Sequence, residues 1–305
     1  MREIQIGNGA INASEISLGC MRIADLSKKE AEVLINTALE QGINFFDHAD
    51  IYAAGRAEEI FADAIHMKPS IREKFIIQTK AGIRNGYFDF SKEHILSSVD
   101  GILKRLKTDY VDVFLLHRPD TLMEPEEIAE AFDILHKSGK VKHFGVSNQN
   151  PMQIELLKKY SKQEIIINQL QLSVTNTGMM DAGINVNMKN DPSINRDGSI
   201  LEYCRLKDIT IQAWSPFQYG FFQGVFLNND KFPELNKKID EIAASYGVTN
   251  TAIAIAWLLR HPAKIQPIVG TTNVKRLTDI CQASKVNLTR PEWYEIYSAA
   301  GNKLP

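Results

Sequence analysis

The sequence predicts an α/β protein, a (β/α)8 TIM barrel with an N-terminal hairpin cap and an extra C-terminal helix. Short apolar runs recur along the chain, and each ends in residues with chemical handles. Phe45-Phe46 leads into Asp47-His48, Phe75-Ile76-Ile77 towards Lys80, and Val111 through Leu116 into His117-Arg118. Phe144-Gly145-Val146 leads into Ser147-Asn148, Ile165-Ile166-Ile167 into Asn168-Gln169, Ile209 to Ala213 into Trp214-Ser215, and Ile268-Val269 into Gly270-Thr271-Thr272. Continuous apolar runs mark strands buried on both faces, as in parallel sheets covered by helices. Helical segments alternate with these runs. With residues 14–18 as the first strand the count reaches eight, which closes a barrel rather than leaving an open sheet.

The elements follow in order. Gly7-Asn8-Gly9, between the apolar stretches of 3–11, reads as a hairpin over the barrel floor. A dinucleotide fingerprint is the competing reading, but Asn12 stands where a third glycine is needed and no helix follows. Ser27-Lys28-Lys29-Glu30 is a capping-box pattern, and Ala31, Val33, Leu34, Ala38 and Leu39 keep helical spacing until Gly42 stops the helix. A strand at 45–47, a helix near 58–66, a strand at 75–79, a helix at 91–106 and a strand at 111–116 come next. Pro125 takes a first helical position in a helix ending at Ser138-Gly139, a strand follows near 143–146, and Asn150-Pro151 opens another helix in the same way. Strands at 165–168, 210–213 and 267–269 alternate with helices around 200–206, within 236–260 and from Val274, and 291–300 adds a helix outside the repeat. Residues 170–199 break the rhythm and carry Met179, Met180 and Met188, with no clear period. Such long segments are usually functional or mobile. Its place after a barrel strand points to shaping of substrate access, with a surface excursion or packing arm as the alternative.

A chain of 305 residues, 44% hydrophobic, buries a large core, and no linker composition divides it, so one domain over 1–305 is expected. The formal net charge of -2, from 35 basic and 37 acidic residues, gives no electrostatic reason to expect nucleic acid or an anionic membrane surface. Small molecules are the expected partners, with the protein a monomer or a weak homo-oligomer. Cys20, Cys204 and Cys281 are far apart and lack metal-ligand spacing, which fits a reducing compartment. Met1-Arg2-Glu3-Ile4-Gln5-Ile6-Gly7 has no apolar signal core, and no stretch approaches the ~20 apolar residues of a membrane span. No membrane partner and a cytoplasmic location are therefore expected.

Asp47-His48-Ala49-Asp50-Ile51-Tyr52, Lys80 and His117 place an acid, a phenol, an amine and an imidazole after successive strands. That is equipment for proton transfer. A free tyrosine has a pKa of ~10, so one working near neutrality must be drawn down. One ammonium about 4 Å away contributes ~4 kcal/mol at an effective dielectric of ~20, so Lys80 is of the right size. Asp47 would hold that lysine and keep it charged, and His117 would orient a carbonyl oxygen. An ordinary strand-end ion pair with Tyr52 packed beside it accounts for the same residues. His48-x-Asp50 with His117 and Asp112 suggests a metal site, but no further histidine follows a strand end, and no metal is expected.

On these residues the chain resembles the aldo-keto reductase superfamily over nearly its whole length. Asp-His-Ala-Asp-Ile-Tyr, Gly-Val-Ser-Asn and Trp-Ser-Pro make it most similar to the bacterial branch of uncharacterised oxidoreductases. The resemblance implies Asp47, Tyr52, Lys80 and His117 as the catalytic four. It implies Ser147, Asn148 and Gln169 as holders of the nicotinamide carboxamide, Trp214 as the aromatic that stacks on the nicotinamide ring, and Ser215-Pro216-Phe217-Gln218 as the loop approaching the pyrophosphate. Gly19, Cys20 and Met21 after the first strand, with Asp47, join the implied cofactor site, as do Gly270, Thr271 and Thr272 after the last. Thr271 and Arg276 match contacts to the adenosine 2′-phosphate, whereas Gly270 stands where many members have Lys. NADP (NADPH) is thus the implied cofactor, with NAD as the alternative. Ile280 replaces an amide often used to hold the adenine, leaving Asp279 to carry that contact alone. The C-terminal substrate loop is nearly absent, so 170–199 would take over part of the pocket. The implied activity is transfer of hydride from NADPH to an aldehyde or ketone. A nicotinamide-binding regulatory subunit, like the potassium-channel β subunits that resemble this family, is the alternative on the same fold.

Overall fold

Eight parallel strands close into a barrel in the computed structural model, which describes residues 1–305. Strands β1 (Glu3–Ile6) and β2 (Ile11–Ser14) form an antiparallel hairpin in which Ile6 faces Ile11. The barrel begins with β3 (Ser17–Gly19), β4 (Phe45–Asp47), β5 (Ile76–Ala81), β6 (Val111–Leu116), β7 (Val141–Ser147), β8 (Ile165–Gln171) and β9 (Thr210–Trp214). A second hairpin, β10 (Gln218–Tyr219) and β11 (Gly224–Val225), precedes the last barrel strand β12 (Gln266–Val269), which pairs with both β9 and β3. The helices are α1 (Lys28–Glu40), α2 (Arg56–Ala64), α3 (Pro69–Arg72), α4 (Lys92–Leu106), α5 (Pro125–Lys137), α6 (Pro151–Tyr160), α7 (Gly178–Ile184), α8 (Ile200–Leu206), α9 (Pro233–Tyr246), α10 (Asn250–Leu259), α11 (Val274–Cys281) and α12 (Arg290–Ala299).

Local chemistry accounts for the boundaries. Ser27 and Glu30 satisfy each other's backbone at the start of α1, and Asn150 with Gln153 does the same for α6, where Pro151 occupies the first turn. Two expectations shift. The first barrel strand starts at Ser17 rather than Ser14, because the hairpin takes Ser14 as the partner of Glu3. The helical region of 236–260 is two helices. Gly247, in the left-handed region at φ 64°, ends α9, and Thr249 caps α10, whose axis is turned by 91°. No single helix is long and apolar enough to cross a membrane.

The barrel interior is layered. Ile4, Ile6 and Ala13 of the floor hairpin pack on Phe45, Val113, Leu115 and Ile167. The hairpin turn fits because Gly7 has no side chain: a Cβ there would lie 2.5 Å from that of Ile166. Outside the sheet a larger apolar cluster fills the space beneath the helices, and α10, buried from Ala252 to Leu258, contributes Ile253, Ile255, Trp257 and Leu258 to it.

Segment 170–199 acquires structure through its contacts rather than its own pattern. Met179 and Met180 of α7 are buried in the large core, and Asp181 accepts a 2.8 Å hydrogen bond from Tyr297 of α12. At Gly145, where the pairing of β7 with β8 shifts register, a Cβ would lie 2.6 Å from Leu115 Cδ2 and 2.7 Å from the Ile167 carbonyl oxygen. Backbone gives way less readily than side chain, so Gly145→Ala is predicted to cost about 1–3 kcal/mol. Urea unfolding checks this, and an unchanged midpoint would contradict it.

Candidate active site

The carboxyl ends of the barrel strands open into one cavity of about 660 Å³. Asp47 ends β4, His117 follows β6, Ser147 ends β7, Gln169 lies on β8 and Trp214 ends β9, and all five line it with Tyr52. Strand alternation turns Asp47 inward and His48 outward. Lys80, on the adjacent β5, lies just beneath the cavity, fully buried. Its Nζ donates to both Asp47 oxygens at 2.9 Å, to the His48 carbonyl at 2.6 Å and to Tyr52 Oη at 3.3 Å. Asp47 Oδ1 also accepts from Gln78 Nε2 at 2.6 Å and Gln169 Nε2 at 3.1 Å. Below it, Gln78 and Gln169 both donate to Gln212, Gln212 to Gln266, and Gln266 to the backbone carbonyl of Ser14. A layer of amides thus separates the ion pair from the apolar floor.

Electrostatics divide the groups. The Lys80 ammonium is opposed by burial yet held above its ordinary range by Asp47 and Tyr52. Burial pushes the Tyr52 phenol up, Lys80 pulls it down and Asp47 pushes it up again, so the net displacement is upward. The sequence-based expectation of a lowered tyrosine is therefore corrected. The carboxylate that fixes Lys80 also offsets its charge at the phenol, and Tyr52 keeps its proton near neutrality. His117 is held well below its ordinary value by burial and then by Lys80 and Arg118, so it is a neutral imidazole. Its ring stands edge-on to Tyr52, centroids 6.1 Å apart.

The chain around Tyr52 is strained. Ala53 (φ 50°) and Ala54 (φ 55°) are both left-handed, at a cost of roughly 1–2 kcal/mol each, and Gly55 follows at φ 91°. Arg105 of α4 lies against Gly55 and donates to the buried Glu58 at 2.7 Å. Glu58 in turn accepts from Thr79 Oγ1 at 3.0 Å. Burial pushes Glu58 up to about 7 against the pull of Arg105.

The opposite side of the mouth has the donors a dinucleotide needs. Gly19, Met21, Ser147, Asn148, Gln169, Ser215, Pro216, Phe217, Gln218, Gly270, Thr271 and Arg276 all line the same cavity. Asn148 and Ser215 are left-handed, at φ 58° and 51°, and Trp214 Nε1 donates to Asn148 Oδ1 at 3.2 Å. Gln169 has committed its amide nitrogen to Asp47 and Gln212, which leaves its oxygen for a ligand. Gly270 faces open space where a Cβ would stand. Arg276 lies in the first turn of α11, whose backbone N–H groups favour an anion. Asp47, already paired, is the single carboxylate in the cavity wall, so the residues present suit a polyanionic nucleotide.

Several expectations are not met. Cys20 is sealed behind the wall, its N–H donating to the Asp47 carbonyl, and Thr272 does not reach the cavity. Asp279 is paired with Lys275 at 2.8 Å rather than presented to the cavity. No residue of 170–199 lines the cavity, so that segment does not form the pocket. Its first part instead supports the loop after β9: Gln171 donates to the Gly220 carbonyl and Ser173 to that of Gln218. Arg22, Ile51, Ile83, Phe222, Val225, Leu227, Asn228 and Thr251 line the cavity without having been singled out. The signal was available in the aromatic stretch between Trp214 and α9, which carries Phe217, Tyr219, Phe221 and Phe222 after a barrel strand. The metal alternative also comes apart. His48 packs edge-on to Phe61 at 4.6 Å, and Asp112 is bound to Arg72 at 2.6 Å.

Comparison with known proteins gives a consistent picture. The Aldo/keto reductase family model matches residues 15–300. The chain is 34% identical to the "Uncharacterized oxidoreductase YcsN" of Bacillus subtilis, covering 100% of both chains. It is 36% identical to a "6-dehydroglucose reductase" of Agrobacterium fabrum, covering 96% of both. The solved structure of a thermostable aldo-keto reductase, Tm1743, superposes with a TM-score of 0.79 at 27% identity, covering 98% of this chain and 100% of that one.

His48 generates a stability prediction. Both ring nitrogens are buried without partners, and burial lowers its pKa to about 3. The unfolded chain, with an ordinary value near 6.5, therefore binds the proton first as pH falls, and stability is lost between about pH 6.5 and 3. The difference in unfolding free energy between the parent and His48→Leu should shift towards the variant by about 1.4 kcal/mol per pH unit below 6. Urea titrations at neutral and acidic pH measure it, and a constant difference would refute the assignment.

Proposed function

The chain belongs to the aldo/keto reductase family and is an oxidoreductase, and from that premise we propose that it reduces a small aldehyde or ketone to the alcohol with NADPH. The observation that carries this reading is the contact of a protonated Tyr52 with the buried Lys80–Asp47 pair, beside a neutral His117 at the cavity wall. We take residues 1–305 as one barrel domain bearing one site.

Ser147, Asn148 and the Gln169 oxygen would hold the nicotinamide carboxamide, and Trp214 its ring. Gly19, Met21 and the loop of Ser215, Pro216, Phe217 and Gln218 would meet the pyrophosphate, and Thr271 and Arg276 the 2′-phosphate. When bound, the reduced nicotinamide supplies the hydride. The chain's residues do the rest. His117, with one N–H to offer, orients the carbonyl oxygen, and the Tyr52 hydroxyl donates to that same oxygen. As negative charge develops there Tyr52 Oη delivers its proton, and Lys80 at 3.3 Å stabilises the phenolate that remains. Asp47 keeps Lys80 charged and fixed throughout. Burial of the pair excludes water from the far side of the phenol.

Two measurements test this. Tyr52→Phe should lower turnover by ~10²–10⁴ on any carbonyl substrate while leaving NADPH affinity close to the parent's. Activity near the parent's would reduce Tyr52 to packing around an ion pair. Tight NADPH binding by the parent with no oxidation across a carbonyl panel would favour the regulatory reading. For the cofactor, Arg276→Ala should weaken NADPH binding about ten-fold or more relative to NADH, since a guanidinium fork matches a phosphate. Equal losses for the two cofactors would show that Arg276 does not read the 2′-phosphate.

A further inference from the structure

Arg118 follows His117 at the end of β6 and lines the cavity. It is half-buried and makes no hydrogen bond or ion pair with any group of the chain. Its neighbours are aromatic faces: the guanidinium carbon lies 5.4 Å from the Trp214 ring centroid and 5.8 Å from that of Phe221. Phe221 stands edge-on to Trp214 and Phe222 stacks on it at 5.9 Å, so the two rings that meet the cation belong to one aromatic cluster. Aromatic faces attract a guanidinium without using its N–H donors. The donors of this half-buried fork are not spent on the chain, which leaves them free for an acceptor that enters the cavity.

The charge around it narrows the acceptor. Asp47, the one carboxylate of the wall, is spent on Lys80, so those two charges offset each other. Arg276 and Arg22 belong to the β12 and β3 side, which the cofactor phosphates are proposed to use. β6 lies across the barrel from those strands. Arg118 thus supplies the uncompensated positive charge at the substrate end. Arg118 directly follows His117 in the chain and lines the same cavity as His117 and Tyr52, which places the guanidinium on the wall that holds the reacting groups.

We propose that Arg118 makes the enzyme selective for carbonyl compounds bearing an oxyanionic group, a carboxylate or a phosphate, close to the reacting carbon. This rests on the reading of the site as a carbonyl reductase. The guanidinium pairs with the oxyanion through two parallel N–H donors, while the carbonyl oxygen faces Tyr52 and His117. Binding energy from that pair fixes the carbonyl's orientation.

The test uses matched substrates with the NADPH-loaded enzyme: a 2-oxo acid against its neutral amide, and a phosphorylated hydroxyaldehyde against its unphosphorylated form. The parent should favour the anionic member of at least one pair, and which pair shows the larger ratio identifies the oxyanion. Arg118→Gln should collapse that ratio by about 10²-fold, since one partner of a desolvated charge pair is lost. Arg118→Lys, which keeps the charge and loses the fork, should restore only part of it. Retained NADPH affinity reports that each variant is folded. Equal kcat/KM for both members of both pairs, or equal loss on both members in Arg118→Gln, would overturn the proposal. Calorimetric binding of oxamate against neutral oxamide separates it from the reading beneath it. Oxamate binding that depends on Arg118, without reduction of any carbonyl, would leave the anion site standing and remove the reductase reading. Reduction of neutral aldehydes with no oxamate binding would do the reverse.

Discussion

An ammonium and a carboxylate buried in the middle of a barrel each carry a desolvation penalty of several kcal/mol, and Lys80 and Asp47 tolerate it only because both are saturated with partners. Lys80 reaches four acceptors and Asp47 Oδ1 three donors. The rest of the interior is arranged to supply them. Gln78 and Gln169 come from strands on different sides of the barrel and are oriented by Gln212, which is oriented by Gln266, which ends on the carbonyl of Ser14. The floor hairpin therefore does more than exclude water. It provides the last acceptor of the series that keeps the ion pair in register.

Tyr52 is located from both faces of β5. Lys80 points inward to the phenol, and its neighbour Thr79 points outward to Glu58, which is paired with Arg105. Two non-glycine residues in the left-handed region would relax if left to themselves. Gly55, which follows them, lies against Arg105. One strand thus fixes both the position of the hydroxyl and the charge beside it.

Much of this was legible in the chain. Buried parallel strands announce themselves as unbroken apolar runs, and the capping box at Ser27 and the proline at Pro151 fixed helix starts closely. The four residues proposed to be catalytic were readable because they come after successive runs of this kind. What escaped depended on distant contacts. Met179 and Met180 sit in a stretch with no clear period, yet both are buried in the large core, with the adjacent Asp181 bound to Tyr297 of α12. The state of Tyr52 was not legible because it follows first from burial of the phenol, which outweighs the lysine, and then from the carboxylate that offsets that lysine. The hairpin of β10 and β11 has strands of two residues, too short for an alternating pattern to register. Asp279 lies on α11 at the spacing of a helical ion pair, and Lys275 took it.

The amide layer also governs traffic. Glutamine side chains do not titrate, so the stack from Asp47 down to Ser14 conducts neither protons nor water, and the base of the barrel is closed to both. A proton that Tyr52 gives up must return by the route through which the alcohol departs. Recharging of the phenol and clearance of product then share one doorway, on whose wall Trp214 and Phe222 lie.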